Sequence, residues 1–336
     1  MKMPQPDDEV ALAKLLERQK KLSFDFEKGV NWRAGIDLTR YFVPLDTDAL
    51  VFPNASPEQR LVMSQYLGLV IAQTFAEMET ALTQAKEVVW KKKLQLYPVN
   101  PEFEALGDQF FAEEEKHSRM FRRYLEVFAQ ETGVTYEELT SMLPTVSGTI
   151  LQKTLKLNSE IGGHALWWVL SLVEEVSILI YKQLQPFSKK MDPLYFELHR
   201  RHFEEEVRHS PYSYWMIEHL YRRNKSFSNM IFRKTDLVLA QALEITWALS
   251  SLSRIRNAFW LRKKHPFYAT LTSCIPLLRK LSPIEVIRRL FVTAPFVSLL
   301  LNPNYHNDYQ TLIGKLRALQ IPTPKPQPQS LSAEKK

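Results

Sequence analysis

Apolar positions recur at three- and four-residue intervals along most of the chain, and such positions stack one turn above another on a helix. After Ser56, the residues Leu67, Val70, Ile71, Phe75, Met78 and Leu82 share one face and predict a helix to about Trp90. Ser56-Pro57-Glu58-Gln59 supplies its start, a hydroxyl N-cap followed by Pro at the first helical position. Asn100-Pro101-Glu102 opens a second long helix in the same manner, expected to run to about Thr132 and stop at Gly133. The third is almost continuously apolar from Leu166 to Val173, then carries Glu174-Glu175 before Val176, Ile178, Leu179 and Ile180. A loop from Pro186 to Pro193 leads into a fourth, which meets Pro211, where a kink is expected because Pro lacks an N–H and crowds the preceding turn.

Around these four lie weaker signals. Residues 1–56 read as a short leading helix, Glu9 to Lys21, and an irregular approach containing Pro44 and Pro53. Residues 133–160 read as a short helical piece (Tyr136 to Met142) and a Pro, Ser and Gly loop, hence a crossover and not a tight turn. Phe227 to about Leu261 predicts a fifth helix, and Pro266 to Leu319 shorter helices broken by Pro276, Pro283, Pro295 and Pro303. The expected organisation is a lead-in (1–56), a helical bundle (57–265), a helical extension packing on it (266–320) and a disordered Pro- and Lys-rich tail (321–336).

Composition narrows the class. At 45% hydrophobic and 12% aromatic the chain of 336 residues has the material of a globular core, and nine Gly with long Pro-free stretches favour helix over turn-rich sheet. The single Cys274 excludes an intramolecular disulfide and a thiolate metal cluster, so a bound metal would use nitrogen and oxygen. The polar N-terminus has no apolar signal segment, and with one cysteine this points to the cytoplasm. The longest apolar stretch, Leu290 to Leu301, is too short to span a bilayer and contains Pro295, so no transmembrane segment is expected. Net charge is +7, concentrated in stretches such as Arg254 to His265. A solvated helix face explains that stretch more cheaply than a nucleic-acid or membrane surface.

The chemistry lies in His202-Phe203-Glu204-Glu205-Glu206-Val207-Arg208-His209. Spacings of four and three put His202, Glu206 and His209 on one helical face, where three lone-pair donors can converge beside the helix. A simpler copy, Glu114-Glu115-Lys116-His117, lies on the second long helix. Two Glu-x-x-His pairs on separate helices, with one Glu from each of two others, are how a four-helix bundle holds two iron or manganese ions. The alternative is that these are half-exposed histidines in charged stripes. Against it stand two acids inside the apolar third helix, where an unpaired carboxylate is costly and calls for a cation or a proton. From Glu79 to Glu114 is 35 positions and from Glu175 to Glu206 is 31, near-equal spans that suit two antiparallel hairpins meeting around a shared site. This leans to Glu79 over Glu77 and to Glu175 over Glu174, leaving both pairs open. The fold expected is all-α, a ferritin-like four-helix bundle with additional C-terminal helices, its single long crossover at 133–160.

His202 is surplus to an ordinary site of four carboxylates and two imidazoles. With it, over roughly residues 57–215, the chain resembles the di-iron aryl-amine N-oxygenases, the p-aminobenzoate N-oxygenase family. Their pattern of Glu, Glu-x-x-His, Glu and His-x-x-x-Glu-x-x-His is matched by Glu79, Glu114 and His117, Glu175, then His202, Glu206 and His209. The resemblance implies a monooxygenase that holds two Fe ions, with Mn as the alternative, and binds O2 as a peroxo-diferric species. It oxidises an aryl amine through hydroxylamine and nitroso stages toward a nitro group. It implies an amine substrate bearing a carboxylate or attached to a carrier protein, an electron donor, no nucleic acid, and a homodimer as the assembly. The rivals are a C–H hydroxylase or acyl desaturase of the same fold and, in another class, iron storage or a metal-free scaffold. His199, one turn before His202, is read as a helix histidine and not a ligand.

Overall fold

The computed structural model describes residues 9–44, 54–143, 148–223, 231–232, 234–243, 264–278, 280 and 306–320. The lead-in forms α1 (Glu9–Leu22) and a short α2 (Phe26–Gly29). The first long helix, α3 (Pro57–Lys86), begins at a capping box: the Ser56 hydroxyl accepts from the Gln59 N–H, and the Gln59 side chain accepts from the Ser56 N–H. Such reciprocal bonds satisfy backbone donors that the first turn leaves free. A π-helical turn, Glu87–Lys91, carries the path into α4 (Lys92–Leu96), six residues beyond the end expected near Trp90. Asn100 caps α5 (Pro101–Glu131) by accepting from the Glu102 N–H. Gly133 ends it at φ +68°, with Val134 N–H returning to the Ala129 carbonyl; this left-handed closure favours glycine.

The crossover holds more helix than expected. After α6 (Tyr136–Ser141), residues expected as loop form α7 (Gly148–Glu160), which packs on α3. Leu151 and Leu155, one turn apart, are buried there, and Gly148 stands at the helix start, where it interrupts nothing. The second hairpin comprises α8 (Ala165–Leu184) and α9 (Pro193–Arg223), and α9 continues as helix through Pro211. Asp192 stands before α9 as its cap, accepting from the Tyr195 N–H at 2.7 Å and, with its other oxygen, from the Asp37 N–H at 2.8 Å. An isolated bridge between Tyr41 and Met191 ties the lead-in to the same point, and the described residues contain no strand.

The four long helices pack as antiparallel hairpins, α3 on α5 and α8 on α9. Their apolar residues fall into two cores. One uses Val62 to Ala76 of α3, Met120 to Ala129 of α5, Val176 to Leu184 of α8 and Leu194 to Leu198 of α9. The other uses Ala81 to Ala85, Phe103 to Phe111, Leu166 to Leu172 and Tyr212 to Tyr221 of the same helices. A polar layer separates them. The C-terminal part contributes α10 (Pro266–Ser273) against α3, α11 (Ile275–Leu278), and α12 (His306–Gln320), whose Leu312 and Leu316 are buried and which touches α9. Of the fifth helix expected over Phe227 to Leu261, residues 231–232 and 234–243 are helical and the rest lie outside the described residues, as does the 321–336 tail. The fold is all-α, as expected, and consistent with a ferritin-like bundle. No described helix is long and apolar enough to cross a membrane.

Candidate metal centre

Every helix of the bundle sends side chains into the polar layer at one level. They are Glu79 from α3, Glu113, Glu114 and His117 from α5, Glu174 from α8, and His202, Glu205, Glu206 and His209 from α9, each at most 2% exposed. Within them, two groups share His117 and Glu206: one adds Glu79 and His202, the other Glu114 and His209, with one donor atom of each residue lying within 4.8 Å of the others. His202 Nε2 lies 2.7 Å from Glu206 Oε1 and 3.2 Å from Glu79 Oε1. His117 Nδ1 lies 3.1 Å from Glu206 Oε1, and His209 Nδ1 lies 2.8 Å from Glu114 Oε1 and 3.4 Å from Glu206 Oε2. Glu174 Oε2 approaches His209 Nδ1 to 3.9 Å.

These close atoms are not joined by hydrogen bonds. Glu79 Oε2, Glu114 Oε1, both oxygens of Glu174 and of Glu206, and the inward nitrogens of His117, His202 and His209 are buried without a hydrogen-bond partner. Leaving so many polar atoms desolvated would be strongly destabilising, and buried polar atoms are ordinarily satisfied. Nitrogen and carboxylate lone pairs converging on shared points are what a hard or borderline divalent cation satisfies, so this set fits iron or manganese.

The outward ring nitrogens, by contrast, are held. His117 Nε2 lies 2.7 Å from Glu205 Oε2 on α9, and His209 Nε2 lies 2.8 Å from Glu113 Oε2 on α5. Each hairpin therefore braces the imidazole of the other. A carboxylate accepting from Nε2–H fixes the tautomer that leaves the Nδ1 lone pair free, and it raises that nitrogen's basicity. Glu113 also accepts from Gln19 and Gln109, and Glu205 from Lys116 Nζ at 2.6 Å and the Phe24 N–H.

Burial and neighbouring charges push the groups of this layer in opposite directions. Burial raises Glu79 well above the usual carboxylate range, and the nearby Glu114 and Glu206 push the same way. Glu114 is raised by burial and by Glu206. For Glu206 burial pushes up, but the His209 and His117 charges outweigh it and hold the carboxyl down. Burial opposes a charge on His117, yet the Glu205 and Glu206 carboxylates lift it to about 9. His209 is likewise raised well above the usual imidazole range, against burial, by Glu206 and Glu113. His202 goes the other way, kept neutral by burial and by the imidazoles of His117, His199 and His209.

Six of the seven residues expected at the site are brought together: Glu79, Glu114, His117, His202, Glu206 and His209. Glu175 is not, and the lean toward it is corrected by where α8 places it. Its Oε1 accepts from Ser210 and Tyr214, and both its oxygens lie 2.7 Å from Lys315 Nζ on α12, while its neighbour Glu174 faces the layer. Sequence could not order the two because both lie among apolar neighbours. Glu77 is half-buried and accepts from Gln73. His199 is buried against Phe75, Phe121 and Tyr195, outside both groups, and burial lowers it to about 3. Glu113 and Glu205 lie outside the set that the sequence pattern predicts. Their signal was the doubled acid, Glu-Glu-x-x-His, in both motifs.

The family model described as P-aminobenzoate N-oxygenase AurF matches residues 5–262, well over half of the chain. No curated protein matches it.

Proposed function

Because the chain belongs to the P-aminobenzoate N-oxygenase AurF family, we propose that it is a di-iron oxygenase that oxidises an amine nitrogen. Glu79, His202 and Glu206 would hold one ion, and Glu114, His209, Glu174 and Glu206 the other, with the single inward nitrogen of His117 serving one of the two ions and not both. The chemistry that a bound iron pair supplies is reduction of O2 and transfer of one oxygen atom to nitrogen. In the first stage an amine, O2, two electrons and two protons give a hydroxylamine and water, with the electrons drawn from a separate donor. The observation that carries the reading is the convergence of buried, unpartnered oxygen and nitrogen atoms on two shared points.

The chain's own residues do the rest. Glu113 and Glu205 hold the rings of His209 and His117 so that Nδ1 faces the layer, and the apolar cores on either side exclude water, which strengthens every charge interaction between them. His202 adds a third imidazole to the layer, in the first group beside Glu79. A neutral ring with its Nε2 unpartnered supplies a nitrogen where a bundle with two imidazoles has none, and this supports nitrogen oxidation over attack on a C–H bond. The substrate would be a small aryl amine, free with a carboxylate or bound to a carrier protein, and the enzyme a cytoplasmic homodimer.

The test is a reaction of iron-loaded protein with an aryl amine such as p-aminobenzoate, a chemical reductant and labelled O2, read by mass spectrometry. Label on nitrogen is expected. Label only on carbon would place the enzyme among the hydroxylases, and no label in any product would remove the oxygenase assignment.

A further inference from the structure

The two carboxylates that brace the histidines are themselves gripped from outside the bundle by one segment, the end of α1 and the turn after it. Gln19, 4% exposed, donates its amide to Glu113 Oε2 at 3.0 Å, the same oxygen that faces His209 Nε2 at 2.8 Å. Five residues on, the Phe24 N–H donates to Glu205 Oε1 at 3.3 Å, while that residue's other oxygen faces His117 Nε2. Lys116 closes the second contact, bonding Glu205 Oε1 at 2.6 Å and the Ser23 hydroxyl at 3.1 Å. The Phe24 ring sits under two cations, 4.2 Å from Lys116 Nζ and 5.5 Å from the Arg201 guanidinium. The segment thus reaches both histidine braces, one on each hairpin.

We infer that residues Gln19 to Phe24 form a clasp on the metal centre, in which Gln19 and the Phe24 N–H position His209 and His117 through Glu113 and Glu205. The inference rests on the reading of the polar layer as a two-metal site. A carboxylate shared between an imidazole and an amide donor has its lone pairs and its rotamer fixed by both, so removing the amide frees it to turn from the ring or to pull harder on its proton. Either change reaches Nδ1 on the far side of the ring. A reciprocal consequence follows: if the docked clasp favours metal binding, bound metal must favour the docked clasp by the same factor.

The experiment uses the full-length protein and Co(II), whose visible bands report its ligand field. Wild type is titrated beside Gln19→Leu, which keeps volume and loses the donor, and Leu12→Ala, which weakens the packing of the same helix through a fully buried apolar residue of the second core. Hydrogen exchange over residues 9–26 of wild type is measured with and without Co(II), so that one arm needs no variant to fold. Expected are Co(II) binding about tenfold weaker with displaced bands in Gln19→Leu, unchanged bands in Leu12→Ala, and slowed exchange in the clasp on loading. Wild-type bands and affinity in Gln19→Leu together with metal-independent exchange would overturn the clasp while leaving the metal site standing. Failure of wild type to take up Co(II) at all would overturn the site and the clasp with it.

Discussion

The α3–α5 and α8–α9 hairpins furnish the polar layer with matched sets. Each gives one buried carboxylate from its first helix, Glu79 or Glu174, and a Glu-Glu-x-x-His from its second, and each lends a carboxylate to the other's histidine. The second hairpin alone adds another imidazole, His202, close to Glu79 across the interface. Their first turns differ as well: α5 is capped by the uncharged Asn100, α9 by the buried acid Asp192. Under the proposed two-metal reading, the repeated frame would set both ion positions and a single unrepeated residue would distinguish them.

The comparison breaks most completely at the shared carboxylate. Glu206 belongs to both groups, so Glu206→Ala is expected to abolish binding of both ions, at least about 100-fold in affinity, whereas Glu79→Ala should leave about one Fe(II) per chain. Anaerobic Fe(II) titration with elemental analysis reads both; equal stoichiometry in the two variants would contradict the sharing.

Removing the unrepeated residue should act next most strongly. His202→Ala is expected to lower N-oxygenation about 100-fold, an effect of the size seen when an interaction made in the transition state is lost, with helicity unchanged by circular dichroism. An unaltered product profile at full iron content would mean that the asymmetry carries no chemistry.

The adjacent acids of α8 sharpen the frame. Glu174→Gln should weaken binding of one ion by about tenfold or more, while Glu175→Gln should leave both ions bound and lower stability by about 1 kcal/mol through its loosened bonds to Lys315, Ser210 and Tyr214. Matching metal affinities for the two variants would reverse the assignment.

The helix caps differ in how they respond to pH. Burial raises Asp192 to about 6, partly offset by the Asp37 and Tyr195 N–H groups. A carboxyl raised in the folded state contributes stability that is full below its unfolded value near 3.8 and is lost as pH rises through 6. Between pH 4 and pH 7 wild type should therefore lose up to about 3 kcal/mol relative to Asp192→Asn, whereas Asn100→Asp should show no comparable loss at its half-exposed position. Denaturant melts at the two pH values check the sign; a gain with rising pH would refute it.

Much of this was legible in the chain because helices write their register into sequence. Ser56, Asn100 and Gly133 announced the ends of α3 and α5, and His202, Glu206 and His209 announced a common face. Glu174 and Glu175 could not be separated because the rotation of α8 is fixed by donors distant in sequence, Ser210, Tyr214 and Lys315. The braces Glu113 and Glu205 were hidden for a related reason: their partners lie on the opposite hairpin and on α1, and spacing along one helix reports nothing of either. Residues 148–160 were read as loop because the glycine at the start of α7 resembles a breaker, although Leu151 and Leu155 carry the helical repeat.

The central claim is that the buried layer holds two metal ions at the atoms named above. A crystal structure of the iron-loaded protein with anomalous data at the iron edge tests it most directly. The account expects two anomalous peaks inside the bundle, both within bonding distance of Glu206, one beside His202 Nε2 and Glu79 and the other beside His209 Nδ1 and Glu114. A single peak, or peaks on the surface with the inward nitrogens still unbound, would contradict it.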